Sequence, residues 1–242
     1  MKAIVWLGAA LLTLPALAQP KFTLTWLVRE DLFAGLLAND HARFEKGVET
    51  LNKVGRFYPE AEVVSWQGLV ESTRAVWAHE AGQPEDFRRH YALSIAYFDH
   101  VRGLAAKDEF AKRLLGIFEG GTMVVLNERL PESMRAAAWE RTYRSYQTLW
   151  AMEQGSLDRL PLHMKGEVLA GRAASAFRTG REEELKQALA LIQEKMPGTP
   201  YATVAEKWTD DPASRAKSRI ACISCHEPNT LKNLLERKPK SE

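Results

Sequence analysis

Residues 161–200 read PLHMKGEVLAGRAASAFRTGREEELKQALALIQEKMPGTP. Pro161 suits the start of a helix, where its missing N–H has no partner to lose. Apolar and small residues then recur at three- and four-residue intervals, the period of one helix face. Gly180 turns the chain and a return helix follows over residues 181–195. Its first turn carries Glu182, Glu183 and Glu184, where acidic side chains complement the helix dipole. The run Pro197-Gly198-Thr199-Pro200 stops it. The stretch is a helix, a tight turn and a second helix.

The same punctuation extends in both directions. Stops and starts are expected at Asp40, near Pro59, at Gly82-Gln83-Pro84, near Gly103, at Gly120-Gly121 and at Pro131. Between them the helical period persists, as in Leu32, Leu36, Leu37 and Ala38, then Phe44, Val48, Leu51 and Val54. Strand alternation is nearly absent, and Thr23-Leu24-Thr25-Trp26 is its best instance. The breaks predict helices of about 12–20 residues joined by short turns. Residues 66–101 form one expected pair, with Gly82 at its turn. Residues 108–154 form another, its first helix interrupted at Gly120-Gly121. The predicted fold class is all-α, an array of antiparallel helix pairs.

Leu169, Ala173, Ala176, Gly180, Leu185, Leu189, Ile192 and Pro197 fall where a tetratricopeptide repeat places its large, small, turn, packing and terminal residues. Gly35, Gly47, Leu51, Val54 and Pro59 fit the same frame at the other end. The body therefore resembles a divergent tetratricopeptide-repeat array. That resemblance implies a solenoid with a continuous core and one concave face that docks a protein segment. A non-repetitive helical bundle is the other reading of the same pattern, and both are all-α. The stretch 136–152 carries Trp139, Tyr143, Tyr146 and Trp150, which can line such a face. Their helical spacing is equally that of a core stripe.

Composition narrows the function classes. Apolar residues make up 45% of the 242, as in globular proteins. Lys and Arg number 33 against 31 Asp and Glu, which excludes the concentrated basic excess of a general nucleic-acid binder. No Ser/His/Asp constellation, phosphate loop or carboxylate pair of convincing spacing is present, so an enzyme is the less favoured class.

The N-terminal 18 residues have the three parts of an export signal. Lys2 is the positive region, residues 3–14 are apolar, and Ala16-Leu17-Ala18 is a small-x-small cleavage site. The mature chain is expected to begin near Gln19, in the periplasm or outside the cell. The apolar run is shorter than the roughly 20 residues of a membrane span. An uncleaved N-terminal anchor is the alternative, and contact with the membrane is expected to be peripheral at most. The expected organisation is a signal over residues 1–18, an extension over 19–25, the helical domain over 26–208 and a C-terminal segment over 209–242.

That last segment contains Cys222-Ile223-Ser224-Cys225-His226, which holds both cysteines of the chain. C-x-x-C-H is similar to the haem-attachment signature of c-type cytochromes. The resemblance implies one covalent haem c, with thioethers from Cys222 and Cys225 and His226 as proximal iron ligand. A Cys222–Cys225 disulfide suits the same compartment. Half of a zinc site and a chance match are further readings, though no second cysteine pair exists to complete tetrahedral zinc.

In small cytochromes c a methionine arrives well downstream of the motif. Here no methionine or histidine follows His226. A distal ligand must then come from the body or another chain, or be absent, as in the cytochromes c′. His163 and Met164 rank first, because they open the helix pair nearest the motif in sequence. His41, His79, His90 and His100 follow, with Met123, Met134, Met152 and Met196. Arg215, Lys217, Arg219, Lys232, Arg237, Lys238 and Lys240 surround the motif. They form either a basic rim that steers an acidic redox partner or a solvated surface. The leading expectation is an exported monohaem c-type cytochrome whose helical body docks a redox partner. The alternative is a periplasmic protein-binding scaffold closed by the Cys222–Cys225 disulfide, without haem.

Overall fold

The computed structural model describes residues 23–221, and all their regular structure is helical. Helices α1 (Leu24–Ala38) and α2 (His41–Val54) are joined by a two-residue turn. Asn39 takes the left-handed conformation at φ 57°, and the Asp40 side chain accepts the Arg43 N–H at 3.0 Å to cap α2. Next come α3 (Glu60–Glu80) and α4 (Pro84–Ala105). Pro59 precedes the first and Pro84 opens the second, with Gly82 between them at φ 68°.

The following helix is continuous but irregular. It comprises α5 (Glu109–Leu115), a π turn (Gly116–Gly120) and α6 (Gly121–Leu126). Pro131 then leads into α7 (Glu132–Glu153), and Pro161 into α8 (Leu162–Arg178). Gly180, at φ 71°, turns the chain into α9 (Glu182–Lys195). The Thr199 hydroxyl accepts the Ala202 N–H to start α10 (Pro200–Asp210).

Packing follows chain order. The closest associations are α1 with α2, α3 with α4, and α8 with α9. Helix α7 lies between the π turn on one side and α8 on the other, and α10 packs on α9. One large core, built around Phe44, Trp66, Phe98 and Phe118, unites α1 through α6. A second, built around Leu169, Ile192, Tyr201 and Trp208, unites α8 through α10. Tyr146 and Leu149 of α7, with Val168 of α8, form a small cluster between them.

One local expectation is corrected. Thr23-Leu24-Thr25-Trp26 is not a strand, because Leu24, Val28 and Leu32 form one fully buried stripe at four-residue spacing. The break expected near Gly103 falls two residues later, where α4 ends at Ala105. The interruption expected at Gly120-Gly121 is a π turn over Gly116–Gly120, after which the helix continues without a stop. After α10 the chain makes one 3₁₀ turn (Pro212–Ala216). Beyond it the chain folds back on α10, where the Trp208 indole N–H donates to Ser218 Oγ at 2.7 Å.

The expected domain limits fall close to element ends. Helix α1 begins two residues before position 26, and α10 runs through position 208 to Asp210. Ile220 and Ala221 are buried in the same core as Trp208. The residues leading to the cysteine motif are therefore packed on the helical body.

Candidate functional site

Cys222, Cys225 and His226 lie outside the described residues, as does the export signal over residues 1–18. Ala221, the residue before Cys222, lines a cavity of about 290 Å³. Its walls come from separate parts of the sequence: Val124 and Val125 of α6, Trp139 of α7, Ala174 of α8, Trp208 of α10, and the segment 216–221.

Two buried indoles dominate the apolar surface. Trp139 is 5% exposed and its N–H donates to Glu128 Oε1 at 2.9 Å. Trp208 is 2% exposed and is tied to Ser218 as described. Arg178 closes α8 at the cavity edge, with its Nε 3.4 Å from Glu128 Oε1. Its guanidinium carbon lies 5.8 Å from the Trp139 ring centre and 5.2 Å from that of Phe177. Lys217 and Arg219, both exposed, complete the lining. Apolar walls with a cationic edge can receive a flat apolar group that carries an anion at one side.

The expected basic rim loses one member. Arg215 is 8% exposed, donating from Nε to the Trp208 carbonyl at 2.7 Å and from Nη1 to Glu182 at 3.0 Å. It acts as a brace between α9, α10 and the segment that leads to the motif. Burial follows from the turn at Pro212, which directs this side chain back under α10.

The structure does not bring the first-ranked distal ligands to this cavity. His163 is exposed and Met164 half-buried in the first turn of α8, whereas Ala174 and Arg178 line the cavity from its last turns. At 1.5 Å rise per residue, His163 lies about 16 Å along the axis from Ala174 and about 22 Å from Arg178. The other histidines belong elsewhere. His41 stacks on Trp77 at 3.8 Å, His79 lies 5.6 Å from Phe87, His90 pairs with Glu71 and His100 with Glu60. Met123 and Met196 are core residues, and Met134 and Met152 are half-buried. Among the described residues, the cavity wall contains no histidine or methionine.

The aromatic face of α7 is mostly committed to packing. Tyr146 is fully buried and donates to Glu167 at 2.6 Å. Tyr143 donates to Glu184 at 2.5 Å, with Arg181 over its ring at 3.8 Å. Burial first, then the hydrogen bond to Glu184, pushes the Tyr143 hydroxyl above its ordinary pKa. Trp150 lies beneath the Arg172 guanidinium at 4.6 Å.

Sequence reasoning missed a second polar centre. Glu119, fully buried in the π turn, accepts from Arg102 at 2.5 Å, from Arg141 Nε at 2.9 Å and from the Ser145 hydroxyl at 2.5 Å. Arg141 also reaches Asp99 at 2.9 Å. The available signal was an acidic residue inside the apolar run from Leu114 to Val125. The cavity left no such signal, since its walls are distant in sequence. Among the described residues no cluster of three or more His, Cys, Asp or Glu side chains is placed to hold a metal ion. No described helix is long and apolar enough to cross a membrane.

Comparison with protein-family models, with curated proteins and with solved structures gives no match to this chain.

Proposed function

We propose that this chain is an exported monohaem c-type cytochrome whose helical body docks a redox partner. The observation that carries the reading is Cys222-Ile223-Ser224-Cys225-His226, which contains both cysteines of a chain that opens with an export-type segment. A covalent haem would supply one-electron transfer. Cys222 and Cys225 hold it by thioethers, and His226 gives the iron a proximal nitrogen. The body would contribute burial and electrostatics to such a group.

We read the body as a divergent tetratricopeptide-like solenoid of antiparallel helix pairs. In support, α8 and α9 meet through buried Ala173, Ala176, Leu185, Leu189 and Ile192, with Gly180 at the turn. The main packing partners follow chain order, as stacked pairs require. Docking would use the concave face of this array or the exposed cations Lys217 and Arg219.

A pyridine haemochrome spectrum and an intact mass test the reading, on protein made in a host that attaches haem c. The expected result is a c-type spectrum and the mature mass plus one haem. A mass two hydrogens short of the reduced chain, without a visible band, overturns it in favour of the disulfide-closed scaffold.

A further inference from the structure

We propose that the cavity walled by α6, α7, α8, α10 and the segment 216–221 binds a small aromatic carboxylate, whose charged end is taken by Arg178. Such a site is separate from the cytochrome reading and stands whether or not that reading holds.

The polar side chains of the lining select the class of ligand. Glu128, the one carboxylate among them, accepts the Trp139 indole N–H at 2.9 Å and faces Arg178 Nε at 3.4 Å. The Ser218 hydroxyl accepts the Trp208 indole N–H at 2.7 Å and donates to the Ser214 carbonyl at 2.9 Å. Both indole donors and both oxygen-bearing side chains are therefore engaged. The cations are not. Among the described residues neither Nη group of Arg178 has a partner, and Lys217 and Arg219 form no ion pair. Three cations against one carboxylate leave an excess of two positive charges around the cavity. A sugar or a polar heterocycle would bury hydroxyls and amides against side chains that are already paired. An anion instead finds donors that are unspent.

The walls select the rest of the molecule. Trp139, Trp208, Val125, Ala174 and Ile220 offer flat or apolar contact. A cavity of about 290 Å³ lies at the lower end of small-molecule sites and suits a body of one or two rings. Arg178 stands where such a body would end. Its Nε faces Glu128, and its guanidinium carbon lies 5.2 Å from the Phe177 ring centre. These contacts hold the planar fork and leave its two Nη groups for a bidentate carboxylate. Lys217 and Arg219 are exposed and raise the local concentration of anions.

The test is calorimetric titration of the full-length protein with naphthoate and with its uncharged amide. Wild type is compared with Arg178→Gln, Arg178→Lys and Ala174→Leu, which puts a larger side chain in the wall. Arg56→Gln, in the turn after α2, is the exposed control. Far-ultraviolet circular dichroism checks the fold of each. Wild type is expected to bind naphthoate at one site, at least about tenfold more tightly than the amide, the lower worth of a charged hydrogen bond. R178Q is expected to lose that preference and R178K to regain part of it. A174L is expected to bind neither compound, and R56Q to match wild type. If A174L does not fold, the two Arg178 variants decide. A wild type that binds no naphthoate, or binds acid and amide equally, overturns the proposal. So does a folded R178Q that keeps the wild-type preference, or a folded A174L that binds as wild type does.

Discussion

Tyr146 packs against Gly171, so close that a Cβ added at 171 would come within 1.9 Å of its ring Cζ. The pair locks α7 to α8 at the seam between the two cores. The Tyr146 hydroxyl donates to Glu167, one turn earlier on α8, so the ring cannot swing aside without breaking that buried hydrogen bond. Gly171→Ala is therefore expected to destabilise the protein by about 3 kcal/mol, the upper range for overpacking. The double variant Gly171→Ala, Tyr146→Phe should recover little, since it removes the hydroxyl and keeps the ring. Urea unfolding followed by circular dichroism measures both; a G171A midpoint equal to wild type would contradict the close approach.

The buried Glu119 is expected to be the most costly single charge to remove. Its oxygens hold Arg102 and Arg141 together and accept from Ser145, which joins α4, the π turn and α7. Glu119→Gln leaves those two arginines facing a neutral amide that must turn its own donors away from them. A loss of about 3 kcal/mol is expected, the low end for breaking a buried ion pair, because Arg102 is 38% exposed and water can reach it. Ser145→Ala should cost about 1 kcal/mol. Thermal unfolding of the two variants side by side checks the ranking.

Acid should weaken the fold through two arginine-paired carboxylates. The hydrogen bond from Arg129 holds the Glu80 carboxyl below its ordinary pKa, and that from Arg181 does the same for Glu140. A carboxyl whose folded pKa is depressed adds stability above its unfolded value of about 4.3 and loses it as pH falls through the folded value. Both pairs are well exposed, so each is worth at most about 1 kcal/mol. The urea midpoint should drop between about pH 5 and pH 3. Arg129→Met and Arg181→Met should each flatten that drop while changing stability little at pH 3.

Gly180 is required for its backbone and not for space. Its φ is 71° and an added Cβ would meet nothing within 4 Å. Gly180→Ala is expected to cost about 1–2 kcal/mol, the penalty of the left-handed region for an L residue, and Gly180→Asn clearly less. The melting temperatures of the two variants give the comparison, and an equal cost for both would point away from backbone strain. The same ordering is expected at Gly82, where φ is 68° and the site is equally open.

The legible part of this protein is local. Pro59, Pro84, Pro131, Pro161 and Pro200 stand at or beside helix starts, and Gly82 and Gly180 at turns, because each acts on backbone within one turn of itself. The apolar period of residues 161–200 likewise matches the buried stripes of α8 and α9, since the period states directly which face leaves water. At Gly120-Gly121 the same local rules marked an irregularity that the helix absorbs as a π turn without ending. A single glycine biases a helix by about 1 kcal/mol, which packing of a long helix easily outweighs.

The all-α class and the Cys222–His226 motif were therefore readable from the chain alone. Tertiary structure decided that Arg215 is a buried brace, that Glu119 gathers two arginines, and that His163 lies at the far end of α8 from the cavity. It also brought Val124, Trp139, Arg178 and Trp208 to one wall beside Ala221. Helix limits depend on hydrogen bonds between residues four apart, which neighbouring side chains dictate. A cavity depends on how whole helices settle against each other, and that outcome comes from shape and volume summed over many distant contacts.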